Sequence, residues 1–420
     1  MSVPLVDDIS NKRAFHFVEF RKLWYAGWMW YQARMMEIIT TSWLVLEITG
    51  SPWYVAIVAL FRTLPMGLFG LISGAISDRF NRKNIMQVIQ IVNIVSLSFL
   101  IGLVYFEIHN LILISILVMT LGFGWSLDFP ARRSSTADIV GSKNVSNAMF
   151  VDMAALTGSS VLGPLWSGLL INWKGALSAY IFILILDLVG TIILQFIHIP
   201  NPDKKVEKFK DLFISTKNTA VYMFKNPITR LVITVTVIAN VLFFPFMPMV
   251  PVFAETILFV NPVLMGLLGA SFGLGNVIGS TYLGTFGKST KPIKLFIFGT
   301  SIGFIFLLIF SILEIYWICW VMLFFAGLAM TGFGSMQSAI TLMTVAPNIR
   351  GKALGVIGVA IGTAPLGLLF TGIISGSFGI EVAITLNCSI ALCILALSLF
   401  AYRKELFLED AQIISQQNSN

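Results

Sequence analysis

The sequence predicts an all-α membrane protein, with twelve transmembrane helices in two pseudo-symmetric six-helix bundles. Three observations predict it. The 420-residue chain is 57% hydrophobic and only 11% charged, against roughly 25% charged in a soluble domain. Twelve apolar runs recur from end to end. Each is close to the ~20 residues that a helix rising 1.5 Å per residue needs to cross a ~30 Å hydrocarbon core. Finally, 24 of the 27 lysines and arginines fall between these runs on one side.

The runs cover 23–46, 53–77, 85–106, 111–129, 148–171, 176–197, 231–253, 263–285, 293–313, 317–343, 354–375 and 382–402. Helices are expected because backbone groups in lipid must be satisfied within their own segment. Barrel strands would alternate in polarity over ~10 residues, and these runs do not. The first run follows a polar tail of mixed charge and is too long for a signal-peptide core, so it reads as a retained span. Its tail carries four basic residues, Lys12, Arg13, Arg21 and Lys22. Three follow run 2, three follow run 4 and seven follow run 6; three follow run 8, two follow run 10 and two close the chain. The other side holds Lys174 alone, while Arg34 and Arg62 lie inside runs. By the positive-inside rule both termini are expected in the cytoplasm, with the protein multi-pass in the inner (plasma) membrane. The same distribution explains the net charge of +7 without a nucleic-acid partner. The expected partner is the lipid bilayer.

The longest loop, 200–230, is basic and holds an amphipathic stretch at 209–224, expected to lie as a helix on the cytoplasmic surface. It divides the chain into an N-terminal bundle (1–199), a linker (200–230), a C-terminal bundle (231–402) and a tail (403–420). Traces of duplication link the halves. Gly74 at the end of run 2 matches Gly284 at the end of run 8, and Gly163-Pro164 in run 5 matches Ala364-Pro365 in run 11. Glycines concentrate in runs 2, 5, 8 and 11, where small residues let backbones approach closely. Repeated halves are a common build of secondary transporters, with the substrate site between them. Gly163, Pro164, Gly168 and Pro365 are therefore expected at helix contacts.

After run 2 the chain reads Gly74-Ala75-Ile76-Ser77-Asp78-Arg79-Phe80-Asn81-Arg82-Lys83. This resembles the signature loop of the major facilitator superfamily, with Asn81 in place of the usual glycine. Asn tolerates a left-handed φ, so the turn is expected to survive. The resemblance implies that Asp78 lies against the N-terminus of run 11 and that Arg79 and Arg82 pair with nearby acids. Gly74, Asp78, Arg79, Arg82, Lys83, Arg132 and Arg350 are thus expected in a gating latch. Further runs resemble the bacterial drug and siderophore exporters of that superfamily, which include the enterobactin exporter and macrolide efflux proteins. They are Trp43–Ser51, Pro130-Ala131-Arg132-Arg133-Ser134, and Pro347–Lys352 with Ala364-Pro365-Leu366-Gly367. Ser159–Gly168 is similar to the run-5 motif of proton-coupled antiporters, with Ser159 and Ser167 at two of its glycine positions.

Ionisable residues inside spans are functional candidates by default. Trp30, Arg34, Glu37 and Thr41 share one face of run 1, where Arg34 and Glu37 can pair at i, i+3. Relatives often carry an acid near Arg34, so Arg34 either attracts an anionic substrate group or neutralises Glu37. Glu37, Asp128 and Asp152 are the candidate proton carriers, and the two aspartates are equally candidate partners for Arg79, Arg82 or Arg132. Arg62 is expected to pair with an acid of a neighbouring helix. Asp187, in the middle of run 6, has no role assigned by sequence. In the second half Asn240, Gln337 and Thr341 are candidates for the substrate cavity, with interhelical packing as the alternative. Phe243, Phe244, Phe246, Trp317 and Trp320 suit an amphipathic substrate or a lipid-facing belt.

Cys319, Cys388 and Cys393 lie in apolar runs and form no metal-ligand spacing. His109 and His198 stand apart from other ligands. Neither metal nor cofactor is expected, and no phosphate-binding Gly-Lys-Ser/Thr loop is present. Convergent His, Asp or Cys groups of a membrane enzyme are not visible. The sequence therefore predicts a monomeric transporter rather than an enzyme, exporting an amphipathic small molecule in exchange for protons. An importer or lipid flippase of the same fold is the alternative.

Overall fold

A computed structural model describes residues 14–141, 144–199, 209–286, 292–346 and 349–402, and among these every regular element is helical. The chain opens with α1 (Val18–Thr49), α2 (Pro52–Arg79), α3 (Arg82–Tyr105) and α4 (Leu111–Val140). Local chemistry sets their ends. Gly50 takes a left-handed conformation (φ 60°) to close α1, and Pro52 opens α2 in its first turn. Asn110 caps α4 by accepting the amides of Ile112 and Leu113, both at 3.1 Å.

The turn between α2 and α3 corrects the reading of Asn81. Its φ is −57°, and its side chain accepts the Asn84 amide at 3.2 Å. The position is a helix N-cap with ordinary φ, which Asn fills as well as any residue.

Runs 5 and 6 are two helical limbs, labelled together as α5 (Val145–Gln195) and separated by non-helical backbone at Lys174 and Gly175. Gly175 has φ 73°, which lets the chain reverse there. Contacts with α1 establish the reversal. Val151 lies level with Trp24 and Ser167 with Met36 on the way out, then Tyr180 with Thr41 and His198 with Glu19 on the return. The linker forms α6 (Phe209–Lys225), which packs against the helix that follows it and against run 11.

Two runs of the second half are not single helices. Run 7 is α7 (Pro227–Ile238), a π-helical turn (Ala239–Phe243) and α8 (Phe246–Thr256). Pro245 lacks the N–H a helix needs, and the widened turn accommodates the break, with the Phe244 amide bonded to the Ala239 carbonyl at 3.0 Å. Run 11 divides into α12 (Arg350–Ile361) and α13 (Ala364–Phe378), with Pro365 in the first turn of the latter. The remaining helices are α9 (Pro262–Phe286), α10 (Pro292–Ser311), α11 (Tyr316–Thr344) and α14 (Ile380–Ala401).

Ten helical stretches among the described residues are long and apolar enough to span a membrane. One of them, Asn147–Gln195, contains both limbs of α5. The twelfth span is α1, whose mid-length Arg34 and Glu37 set it apart.

Helices α1 to α5 pack on one another, as do α7 to α14. Two seams join the halves. The first limb of α5 meets α9, and α2 meets α12 and α13. Exchanging runs 1–6 for runs 7–12 turns one seam into the other, the relation a two-fold axis produces. At the first seam Gly168 lies against Gly266. A Cβ built on Gly266 would sit 2.9 Å from the Gly168 Cα. At the second, a Cβ on Gly362 would sit 2.8 Å from the Gly67 Cα, and Gly372 faces Ala56 and Trp53.

Candidate functional site

Two cavities lie on different faces of α1. The first is inside the N-terminal bundle, a pocket of about 30 Å³ lined by Trp30, Ala33, Arg34, Glu37, Arg62, Asn93, Leu97, Leu121, Trp125, Ile183 and Asp187. That is room for about one water molecule. The second is at the seam, about 20 Å³, lined by Met35, Ile38, Ile39, Ser160, Pro164, Phe246, Met247, Val250, Gly269 and Phe272. A small void of about 10 Å³ lies between them, with Ile38, Thr41, Arg62 and Pro248 in its wall.

The helical period of α1 makes this division. Trp30, Arg34, Glu37 and Thr41 repeat every three or four residues and face the bundle interior. Met35, Ile38 and Ile39 face the seam. Glu37 does not pair with Arg34. Arg62 reaches its carboxylate from α2, and the Thr41 hydroxyl donates to the other oxygen at 3.1 Å. Thr41 in turn shares a hydrogen bond of 2.8 Å with the Tyr180 hydroxyl. Arg34 turns instead to Trp125 of α4, its guanidinium carbon 3.6 Å from the ring centroid. Trp125 stacks on Trp30 at 5.3 Å. The Arg34 Nε is buried without a hydrogen-bond partner.

The two aspartates considered as proton carriers are engaged. Asp128 accepts two hydrogen bonds from Arg132, at 2.8 and 3.0 Å, with both residues fully buried. Arg132 also donates to the Leu23 carbonyl at 3.3 Å. It therefore braces α1 to α4 inside the bundle instead of lying in a surface loop. Asp152 accepts the Tyr31 hydroxyl at 3.1 Å.

Of the latch residues, Arg82 pairs with Asp138 of α4 and donates to the Ser77 carbonyl at 3.2 Å. Lys83 donates to the Gln195 carbonyl at 2.7 Å. Arg79 and Arg350 are exposed at the ends of α2 and α12, helices that pack together. The side chains of Gly74 and Asp78 lie outside the described residues.

In the second half, Gln337 donates to the Thr236 hydroxyl at 2.7 Å and Asn240 to the Thr236 carbonyl at 2.9 Å. The Thr341 hydroxyl donates to the Gln337 carbonyl at 2.9 Å. All three are buried among α7, the π-helical turn and α11 and hydrogen-bond within those elements. Phe243 and Phe246 join Phe272 and Phe304 in an aromatic core, while Trp317 is exposed. Gly367 is needed where α13 meets the Val241 carbonyl in the π-helical turn, because any Cβ there would overlap that oxygen.

Sequence reasoning missed Tyr180, Asn93 and Trp125, which carried no signal of their own. Asp187 did carry one, as an acid in mid-span, but its surroundings were not readable. Among the described residues no three His, Cys, Asp or Glu side chains gather in a metal-binding cluster.

A family model described as transmembrane secretion effector matches residues 12–419. The chain belongs to this family, within the major facilitator superfamily. No curated protein matches it significantly. Among solved structures, the POT family transporter PepTSo aligns with TM-score 0.70 at 13% identity, over 91% of this chain and 98% of that one. A point mutant of the nucleoside transporter NupG gives 0.69 at 12% identity, over 91% and 99%. A bacterial homologue of the human lysosomal transporter Spinster, inward-facing and occupied, gives 0.68 at 13% identity, over 96% and 98%. At these identities the likeness is one of fold. This secretion effector family member is accordingly a multi-pass membrane transporter of the major facilitator type.

Proposed function

We propose that this transporter exports an amphipathic small molecule, drug-like or siderophore-like, in exchange for protons by alternating access. The observation that carries the reading is the double face of α1. One face meets the apolar seam cavity, which is closed to about 20 Å³ and would widen as the halves part to seat cargo against Met35, Ile38, Phe246, Met247 and Phe272, with the Ser160 hydroxyl as a polar contact. The other face holds Glu37 and Arg34 at a cavity inside the N-terminal bundle. A shift of α1 at the seam therefore moves buried charge, which is the physical requirement for coupling cargo to protons. The glycine-lined seams supply surfaces along which the halves can rock. The packing of α2 against α12 supports a latch formed by Asp78, Arg79 and Arg350 at the cytoplasmic end. The family's description as secretion effectors supports the outward direction.

The test is proton movement in sealed proteoliposomes under an imposed pH gradient. Lipophilic cations, macrolides and catechol siderophores are added in turn. Cargo-triggered proton flux supports the reading and names the cargo class. Cargo that equilibrates down its own gradient without proton flux refutes the antiport while leaving a facilitator.

A lipid flippase is the second reading. It is favoured by an apolar groove of about 540 Å³ between α2, α3 and α4, lined by Leu64, Leu68, Phe69, Val88, Val92 and Phe123. Transbilayer movement of a fluorescent lipid in the same vesicles separates it from export of a soluble molecule.

A further inference from the structure

We infer that Asp187 is the exchangeable proton site of this transporter and that Arg34 is the cation that receives its carboxylate when the proton leaves. The inference rests on the proton-coupling reading above and names the residue that performs it.

Asp187 lies on the returning limb of α5 and is 3% exposed. Its Oδ1 is buried with no hydrogen-bond partner, and no ion pair joins it to a basic group among the described residues. An unpaired, buried carboxylate is so costly that such a group holds a proton instead. Three other buried acids of the bundle have side-chain partners: Glu37 in Arg62 and Thr41, Asp128 in Arg132, and Asp152 in Tyr31. Asp187 alone of the four faces the water-sized cavity unengaged.

The groups around it set the charge balance. From α1 it is faced by Arg34 and Glu37, from α2 by Arg62, and from α3 by Asn93, whose Oδ1 is also unpartnered. From α4 come Trp125 and, farther off, the Asp128–Arg132 pair. Glu37 and Arg62 cancel. With Asp187 neutral, Arg34 leaves the cavity one positive charge in excess. Loss of the Asp187 proton brings the cavity to neutrality. Arg34 has an unpartnered Nε and rests on the face of Trp125. It can exchange that ring for the new carboxylate without breaking an ion pair. The Asp187 O–H bond breaks and the proton passes to a water molecule entering the cavity, which has room for about one, and no other bond is made or broken. Because Arg34 stands one turn from Ile38, its movement reaches the seam directly.

The test has two readouts on purified protein. Infrared difference spectroscopy in detergent, with no cargo present, reports protonated carboxyl groups. Proteoliposomes report cargo-triggered proton flux and cargo counterflow. Wild type is expected to show a protonated-carboxyl band at neutral pH, and Asp187→Asn, which conserves shape, is expected to lack it. Asp187→Asn should also lose cargo-triggered proton flux at least tenfold while still carrying out counterflow, which shows it is folded. Arg34→Gln should keep the band but lose the flux, because the carboxylate would be left without a cation. If Asp187→Asn keeps either the band or the flux, the inference is overturned. If the band depends on Asp187 but wild type moves no protons with any cargo, the proton site stands and the antiport reading falls.

Discussion

Replacing Gly266 by alanine adds one methyl group at the tightest point of the α5–α9 seam. The new Cβ would overlap the Pro164 carbonyl oxygen and lie 2.9 Å from the Gly168 Cα and 3.2 Å from its amide nitrogen. Carbon atoms pack at about 3.5–4.0 Å, so the helices must separate by roughly 0.6–1 Å. Such overpacking costs about 1–3 kcal/mol. Helix propensity favours alanine over glycine by about 1 kcal/mol, but α9 is helical in both conformations, so that gain cancels from their balance. The loss of about 1–3 kcal/mol is felt only in the conformation that closes this seam. At 1.4 kcal/mol per tenfold, it shifts the balance between open and closed states by about fivefold to somewhat over a hundredfold. The control is Gly102→Ala in α3, where the same methyl group would meet nothing within 4 Å. It should be neutral or stabilising. Spin labels at Lys174→Cys and Glu314→Cys, in the loops at that end of each half, report the separation by electron–electron resonance. Gly266→Ala should move the distance distribution towards the longer population and Gly102→Ala should not. Equal distributions in both variants and wild type would refute the claim that this seam closes by glycine contact.

Four further outcomes are expected. Glu37→Gln leaves Arg62 charged and buried without its partner, and should lower thermal stability in detergent by about 3–5 kcal/mol. The double change Glu37→Gln with Arg62→Gln should recover most of that loss, as a double-mutant cycle would show. Asp128→Asn breaks the bidentate contact with Arg132 and should cost a similar amount, read as a fall in melting temperature. Tyr180→Phe removes one hydrogen bond, to Thr41, and should cost only about 0.6–1 kcal/mol, typical of interhelical bonds in membranes. At the start of α1, slight burial raises the Glu19 pKa, but the Lys22 ammonium and the His198 amide outweigh it and hold it below the usual carboxylate value. A depressed carboxyl pKa stabilises above the unfolded value and loses that contribution as pH falls through the folded one. Glu19→Gln should therefore be less stable than wild type at neutral pH. The gap should close as pH falls through the lowered folded-state pKa, followed by thermal melts on the acid side of neutrality.

Much of the architecture was legible because lipid imposes strict rules on sequence. Span length, the apolar runs and the one-sided lysines and arginines follow from backbone satisfaction and the energetics of translocating charge. They require no knowledge of which helix touches which. The glycines of runs 2, 5, 8 and 11 were legible for the same reason, since close backbone approach has few other solutions. The broken helices were less so. Pro245 and Pro365 were visible, but whether a proline bends, widens or divides a helix depends on which neighbours take up the freed backbone groups. Gly367 against the Val241 carbonyl is one such neighbour.

The site was only half legible. Sequence determined which ionisable groups lie within spans, and that Trp30, Arg34, Glu37 and Thr41 share a face of α1. It could not determine which way that face points. Arg34 and Glu37 are spaced to pair, yet Glu37 takes Arg62 and Arg34 takes Trp125, because those partners come from α2 and α4. Asp128 and Asp152 were candidate proton carriers by sequence and Asp187 was not, and the structure places Arg132 and Tyr31 beside the first two. Helical periodicity is local and can be read from the chain. The pairing of buried charges depends on distances between helices many residues apart, so only the tertiary structure could decide which carboxyl group was left without a partner.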